Sequence, residues 1–476
     1  MTKPNVLLLI MDSLRARNCS VYGYERETTP FLSEFAEGSV KFEQARSPSI
    51  HSISSHASIF TGYHTEEHNI TEHKSFVNPE ATIWNTLSVQ YDYETGLFTP
   101  NAVVTLTSNL GDCFDECVGP KRVEYRLFKE GLTPLDVQGN LTASEYLKTA
   151  LSHEAPIRSV LNGVYKKYKS REGAHDPDSE NASVYVKEFL DWVKKVGSPW
   201  GACINLMDTH TPFNPAPEYD LWTDDDSDKQ ADRKNIEPFT EAYWDRLGKQ
   251  ISRYDGTIRE ADAAAEALVN ELSEIGVLDD TLIVITSDHG EGFGELSELD
   301  KNVRLRHHSW GIDEVLTHVP LIVLPPDGTG GREIPQPATL TRFPRVVKDT
   351  VDENVEDPVS GFVPEQDVVS STYRIKPPGD ELDLPESERQ KYFGPWRSVY
   401  RMTDDGVLKY ARRGDDAVTL KIPDAQDSVE VSADDGGVVE EVFSSFQDEG
   451  VKFGSAGNRD IDTEVESRLE DLGYLR

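Results

Sequence analysis

The chain has 476 residues, 37% of them hydrophobic, with seven Trp and eighteen each of Tyr and Phe, enough apolar mass for a large core and a second, smaller unit. Its 85 acidic residues against 48 basic ones give a net charge of −37; such a surface repels nucleic acid and anionic lipid taken as a whole, and as a solvated coat it suits a halophilic, very salty cytoplasm. Four cysteines, Cys19, Cys113, Cys117 and Cys203, are too few and too scattered for a disulfide framework.

In chain order, Val6–Met11 (VLLLIM) reads as a buried parallel strand ending at Asp12. The run is too short to cross a membrane, and it lacks a basic flank and a small-residue cleavage site, so a cytoplasmic protein without a membrane span is expected. Thr28-Thr29-Pro30 predicts a helix start and Gly38 its stop. Ser54, Ser55 and Gly62 bracket a second short helix, with Ser52 just ahead of it. A helical stripe follows over Ser183–Val196, then a strand at Trp200–Leu206, a helical region over 240–276, and strands at Thr281–Thr286 and Val319–Leu324. This alternation predicts an α/β domain with a mostly parallel sheet flanked by helices over residues 1–330. Beyond about residue 326 Pro and Gly become frequent. An acidic loop over 375–390, a hairpin over 398–413 around a DDG turn, a strand at AVTLKI and helices at 438–448 and 463–472 predict a smaller α+β unit over 331–476.

In open α/β sheets ligands bind beyond the carboxyl ends of the strands. Three predicted strands finish on suitable residues: Asp12, then Asp208 and His210 in MDTHTPF, then Asp288 and His289 in SDHGEGFGE. Carboxylates and an imidazole brought together from separate strand ends suit a divalent cation. The stretch SIHSISSHASIFTG, residues 49–62, places hydroxyls at a helix start, where free N–H groups and the helix dipole favour an anion. A metal-coordinated hydroxyl there would be an activated nucleophile. Ser54, Ser55 and Ser58 read as capping and packing positions, His51, His64 and His68 as surface residues, and Arg15 as part of a structural ion pair near Asp12.

Taken in order, PNVLLLIMDSLR, YGYERETTPFLSEFAEGSVKFEQA, SxxSHASIFTG, DTHTPF, TSDHGE and HVPLIV resemble the sulfatase branch of the alkaline-phosphatase superfamily over roughly residues 4–324. Residues 398–410 and the terminal ESRLEDLGYL are similar to that family's C-terminal segment. The resemblance implies an alkaline-phosphatase-like fold with Ser52 as nucleophile. It implies one divalent metal ion (Mn²⁺, Ca²⁺ or Mg²⁺) on Asp12, Ser52, Asp288 and His289. His210 falls where the family contacts the ester anion, and His56 where an arginine orients the nucleophile. His307 or His308 falls near a position that binds the anion or assists the leaving group. Two departures bear on the chemistry. Ser13 stands in place of a second acid, and S-I-S-S-H replaces C/S-x-P/A-x-R, so conversion of Ser52 to formylglycine is not expected. A formylglycine hydrate releases sulfate by elimination, whereas a plain serine ester must be cleaved by water. Phosphoryl-serine undergoes that step readily and sulfuryl-serine poorly.

The expected activity is therefore hydrolysis of sulfuric or phosphoric esters, leaning to phosphoester and phosphodiester cleavage, with a small-molecule or glycan ester as partner and no nucleic acid. One alternative is a transferase that moves a phospho-group onto a glycan or lipid head group, using an acceptor groove from residues about 115–180 and the C-terminal unit. Another is a non-catalytic anion- or metal-binding relative, against which the joint presence of Asp12, Asp288, His289 and His210 argues. The sequence is silent on oligomeric state.

Overall fold

A strand buried on both faces reads as a near-continuous apolar run, and in the computed structural model all seven residues of Asn5–Met11 are buried, the one polar side chain, Asn5, being hydrogen-bonded to Thr281 and Trp200. The structure describes residues 3–120, 127–128, 130–132, 143–169, 181–197, 199–224, 239–328, 330–373 and 390–455. The strands in chain order are β1 (Asn5–Met11), β2 (Val40–Arg46), β3 (Ser75–Val77), β4 (Glu94–Phe98), β5 (Glu116–Val118), β6 (Trp200–Leu206), β7 (Thr281–Thr286), β8 (Phe293–Leu296) and β9 (Arg304–Arg306). They continue with β10 (Leu321–Leu324), β11 (Arg332–Thr339), β12 (Val368–Thr372), β13 (Trp396–Thr403), β14 (Gly406–Arg413), β15 (Asp416–Ile422), β16 (Val429–Ser432) and β17 (Lys452–Ser455).

The larger sheet has eight strands in the order β11-β2-β10-β7-β1-β6-β4-β5. Only β10 runs antiparallel to its neighbours, β7 and β2; the other pairings are parallel. Alternation along β1 feeds two cores. Val6, Leu8 and Ile10 face a layer that includes residues of helices Ser52–Thr61 and Phe343–Asp352. Leu7, Leu9 and Met11 face a layer that includes residues of helices Ala182–Val196 and Ile251–Glu274. The second sheet, β12-β13-β14-β15-β16, is antiparallel throughout. The α/β class, the mostly parallel sheet and the separate C-terminal antiparallel sheet thus match the expectation.

Several boundaries move. The helical region expected over 240–276 is two helices, Glu241–Lys249 and Ile251–Glu274, meeting at Gln250. The division expected at residue 330 does not coincide with the sheet boundary: β11 pairs with β2 in the large sheet, and Phe343, Val346 and Val347 enter its core. Arg332–Thr339 is a strand although it holds Pro335 and Pro337, because an edge strand tolerates proline where one row of its N–H groups has no partner to lose. The second sheet begins only at Val368. The predicted hairpin is β13–β14, closed by Asp404 and Asp405 between paired Thr403 and Gly406. The predicted helix over 438–448 is Val438–Phe443; the one at 463–472, nearly all of the acidic loop at 375–390 and parts of the 115–180 segment lie outside the described residues. Among the described residues, no helix is long and apolar enough to cross a membrane.

Candidate active site

Because β1, β4, β6 and β7 run parallel, their carboxyl ends open on one edge of the sheet, and the residues just past those ends converge. Asp12, Asp288 and His289 are fully buried, and one ligand atom from each lies within 4.8 Å of the others. The turn after β1 is tightly held. Ser13 takes a left-handed conformation (φ 65°), uncommon for a residue with a Cβ and recurrent at functional sites. Its N–H donates to Asp288 Oδ1 at 3.2 Å, its Oγ to Asp12 Oδ1 at 3.1 Å, and Tyr254 donates from its hydroxyl to the Ser13 carbonyl at 2.8 Å. Ser13, at the place of the family's second acid, thus braces both carboxylates.

The hydroxyl-rich stretch forms a helix over Ser52–Thr61, every residue of which is buried. It begins two residues earlier than expected. His51 is the N-cap, in an extended conformation, and its carbonyl accepts from Ser55 N–H at 2.9 Å. Gly62 ends the helix in the left-handed conformation (φ 83°). Most of the hydroxyls are engaged by backbone carbonyls: Ser54 Oγ donates to Ile70 O (2.7 Å), Ser55 Oγ to the carbonyl of the site residue Asp288 (2.5 Å), and Thr61 Oγ1 to Ala57 O (2.7 Å). Ser58 Oγ pairs with His68 Nε2 at 2.8 Å. Ser52 differs, with its Oγ 3.3 Å from His289 Nε2. His289 Nδ1–H donates to Gly290 O at 2.9 Å, which turns the Nε2 lone pair toward the cluster.

His56 is buried on the same helix, its Nδ1 2.8 Å from the Ser52 carbonyl and 3.6 Å from Asp288 Oδ2. His210 Nδ1 donates to Thr211 O at 2.7 Å. His308 lies against the cluster, its ring centroid 4.5 Å from that of His289 and 5.2 Å from that of His210. His307 and His308 both reach Glu291, with Nδ1 to carboxylate distances of 3.2 and 3.4 Å, but of the two only His308 makes ring contacts with the site histidines. Asp208 is not drawn in; its Oδ1 accepts from Ala182 N–H at the start of the Ala182–Val196 helix.

Electrostatics separate the two carboxylates. Burial raises the pKa of Asp12, but the imidazoles of His210, His289, His56 and His308 outweigh it and hold the group below the usual carboxylate value. Burial, followed by the charge of Asp12, pushes Asp288 up to about 7. Asp288 Oδ2 is buried without a well-formed hydrogen bond. Two buried carboxylates this close require a cation between them or a proton on one. Three oxygens and one imidazole nitrogen form a donor set suited to a hard divalent ion, so the residues fit the expected metal.

Sequence reasoning missed four partners. Asn101 and Asn205 donate to Asp12 Oδ2 at 3.0 and 3.2 Å, and Thr209 to the Asp12 carbonyl at 2.6 Å. Glu291 is fully buried beside the two histidines, which outweigh its burial and hold it well below the usual glutamate value. Asn205 was detectable as the one polar residue inside WGACINL, and Asn101 as a polar residue just past the end of β4. Two surface expectations are corrected. His51 is buried at the helix start and His68 is fully buried under the helix, both drawn in by the backbone and hydroxyl contacts described above. Arg15 does form an ion pair, with Glu295 at 2.9 Å.

The sulfatase family model matches residues 4–347, which include all of these residues. The human iduronate 2-sulfatase is 23% identical over 352 residues, covering 68% of this chain and 60% of that protein. An arylsulfatase of Clostridium perfringens is 23% identical over 319 residues, covering 63% of this chain and 66% of that protein. These alignments span less than two thirds of either relative. In fold, the chain is similar to the phosphonate monoester hydrolase of Agrobacterium radiobacter, with a TM-score of 0.61 and 17% identity over 92% of this chain and 94% of that one. The phosphonate monoester hydrolase of Silicibacter pomeroyi gives a TM-score of 0.57 at 19% identity, over 90% and 88%. Motif order, topology and a family match over more than half of the chain agree: this chain belongs to the sulfatase family.

Proposed function

We propose that the protein is a metal-dependent hydrolase of anionic esters with Ser52 as its nucleophile, and that phosphoric or phosphonic esters are its substrates in preference to sulfuric ones. The observation that carries this reading is the position of Ser52. It is the first residue of a helix, where unpaired N–H groups favour an anion, and its Oγ lies 3.3 Å from His289 Nε2 beside the Asp12–Asp288 pair.

Asp12, Asp288, His289 and Ser52 Oγ would hold the metal, which when bound lowers the hydroxyl pKa and neutralises charge on the ester. Ser52 Oγ gives up its proton to His308 or His210 and forms a bond to phosphorus as the bond to the ester oxygen breaks, and the same histidine passes that proton to the leaving oxygen. Water then cleaves the phosphoryl-serine, returning the proton to Ser52 and releasing the phosphate. His56, donating from Nδ1 to the Ser52 carbonyl, fixes the first turn of the helix. Glu291 orients His308 by accepting from its Nδ1, leaving Nε2 to act. The lean to phosphorus rests on residue type, since S-I-S-S-H lacks the Pro/Ala and the Arg that accompany formylglycine. A cytoplasmic residence is part of the same proposal and accords with four cysteines present as free thiols.

The test is turnover of matched aryl phosphate, phosphodiester, phosphonate and sulfate esters with Mn²⁺, Ca²⁺ and Mg²⁺, using Ser52→Ala as control. Phosphorus esters should dominate, and the variant should be inactive. Undiminished activity in Ser52→Ala would remove the nucleophile, and a dominant sulfatase activity would remove the substrate assignment.

A further inference from the structure

No step of the ester hydrolysis uses His307 or the glycines that flank Glu291, yet the three together hold one buried carboxylate. Gly290 and Glu291 N–H donate to Leu316 O and Val315 O at 2.8 and 3.2 Å, and a Cβ on Gly290 would collide with Val315 O. On the other side, His307 N–H donates to Gly292 O at 2.9 Å, and a Cβ on Gly292 would lie 2.7 Å from His307 O. The Glu291 backbone is thereby clamped between two segments, and its side chain is fully buried. His307 takes the left-handed conformation (φ 48°) just past β9. Consecutive side chains of an extended strand point to opposite faces; this break in the strand lets His307 and His308 converge on the same carboxylate. His307 Nδ1 lies at ion-pair distance, 3.2 Å, from Oε1, which also accepts from Gly292 N–H at 3.2 Å. His308 Nδ1 lies 3.4 Å from Oε2.

With Oε1 held from one side, rotation of the carboxylate away from His308 is blocked. We infer that His307 is a positioning residue that fixes Glu291 so that Oε2 holds the His308 imidazole, and that His308 rather than His210 therefore carries the proton from Ser52 Oγ to the leaving oxygen. This assignment rests on the serine mechanism proposed above. The exposures order the row: the His307 side chain is 23% exposed, that of His308 12%, and Glu291 not at all. His307 thus stands at the solvent end and His308 at the site end, its ring centroid 4.5 Å from that of His289. His210 is held differently, its Nδ1 donating to the backbone carbonyl of the next residue, Thr211, at 2.7 Å. A carboxylate behind an imidazole fixes its tautomer and orientation and stabilises the imidazolium formed while the proton is in transit. A neutral carbonyl supplies the first two and little of the third.

The experiment measures kcat/KM of the metal-loaded protein for a 4-nitrophenyl and a benzyl ester of the same phosphorus acid, in wild type, His307→Gly, His307→Asn, His307→Asp and His308→Ala. Gly, Asn and Asp all accept a left-handed backbone, so the turn is kept. Asn offers Glu291 an N–H near the place of Nδ1, whereas Asp offers only acceptors. Nitrophenolate leaves unaided and an alkoxide needs the proton, so His307→Gly and His307→Asp should lower turnover of the benzyl ester at least about tenfold and of the nitrophenyl ester less than about threefold. His307→Asn should stay near wild type. His308→Ala should show the same selectivity, and adding His307→Gly to it should cost nothing more. A purely structural role would lower both esters alike and would weaken the thermal shift produced by added metal. Equal losses for the two esters, a His307→Asn as poor as His307→Gly, or additive losses in the double variant would overturn the inference. No selectivity in His308→Ala beside an inactive Ser52→Ala would overturn it too, leaving the serine mechanism with His210 as carrier; an active Ser52→Ala would remove that mechanism and this role of His307 together.

Discussion

Two buried charged clusters in this protein show how charge balance separates a site from a joint. Between the two sheets, Lys409 of β14 is fully buried, its Nζ 2.7 Å from Glu298 Oε2, 2.7 Å from Ile312 O and 3.2 Å from Glu314 Oε1. Arg46 reaches Glu314 Oε2 at 2.7 Å and lies over the Tyr400 ring. Burial opposes ionisation of Glu314, but Arg46 and then Lys409 outweigh it and hold it down to about 2. The cluster supplies its own cations and ties the C-terminal sheet to the catalytic one. At the ends of β1 and β7, Asp12 and Asp288 face each other with no lysine or arginine among the neighbours that set their charge, and Asp288 rises to about 7. A buried carboxylate pair that meets imidazoles but no lysine or arginine is suited to a cation from outside.

The largest effects should come from denying the second cluster that cation. Chelation, or Asp288→Asn, should reduce ester hydrolysis by more than about 100-fold, since loss of groups that merely support metal ligands costs about 10- to 100-fold. The thermal shift on adding Mn²⁺, Ca²⁺ or Mg²⁺ to metal-free protein reads the same site without turnover. At a metal concentration 100 times Kd it corresponds to about 2.7 kcal/mol for wild type and should vanish in Asp288→Asn. A shift retained in the variant would place the ion elsewhere.

The self-neutralised cluster should respond in stability and not in metal binding. Lys409→Met leaves Glu298 and Glu314, whose side chains are only 13% and 11% exposed, with a cation missing, which should cost about 3 kcal/mol in denaturant unfolding. Adding Glu298→Gln should recover part of that loss. Metal-induced shifts should be unchanged in both variants, and a loss of metal response in Lys409→Met would erase the distinction between the clusters.

A finer probe is Asn101→Ala, which removes a donor to Asp12 Oδ2 but no metal ligand. Metal affinity should fall about 10- to 100-fold, read by titration against the thermal shift, with the metal-free fold intact. The same residue marks where the sequence stopped being legible. Asp12, Asp288 and His289 could be read because each lies within three residues of the end of a strongly apolar strand, and Ser52 through the resemblance of the run that leads to Gly62. Asn101 could be read only as a polar residue past a strand end and not as a partner of Asp12, and Glu291 not at all, because their roles arise from contacts that bring distant strand ends and loops together. Propensity also misplaced the start of the Ser52–Thr61 helix: Ser54 and Ser55 are good caps, yet the backbone turns at His51. Pro335 and Pro337 concealed β11, whose place at the sheet edge is a property of the whole topology and not of its own residues.

The smallest effect concerns histidines that hold structure without touching the ester site. His68 accepts from Ile70 N–H through Nδ1 at 2.9 Å and donates through Nε2 to Ser58 Oγ, so a second proton would destroy the first of these bonds. Burial, then the neighbouring His64, lowers its pKa to about 3; burial, then Arg46, does the same to His318. In both, the folded pKa lies below the unfolded value of about 6.5. The unfolded chain therefore takes up protons that the folded one refuses. Their stabilising contribution is complete above about pH 6.5 and is lost as pH falls toward 3, by about 1.4 kcal/mol per pH unit and site. The pH slope of the urea midpoints between pH 7.5 and 5.5 should differ between wild type and His68→Gln by that one site's share, the wild type losing more stability below pH 6.5. An unchanged slope in the variant would mean that His68 is protonated in the folded protein, and the account of how the Ser52–Thr61 helix is held from beneath would be wrong.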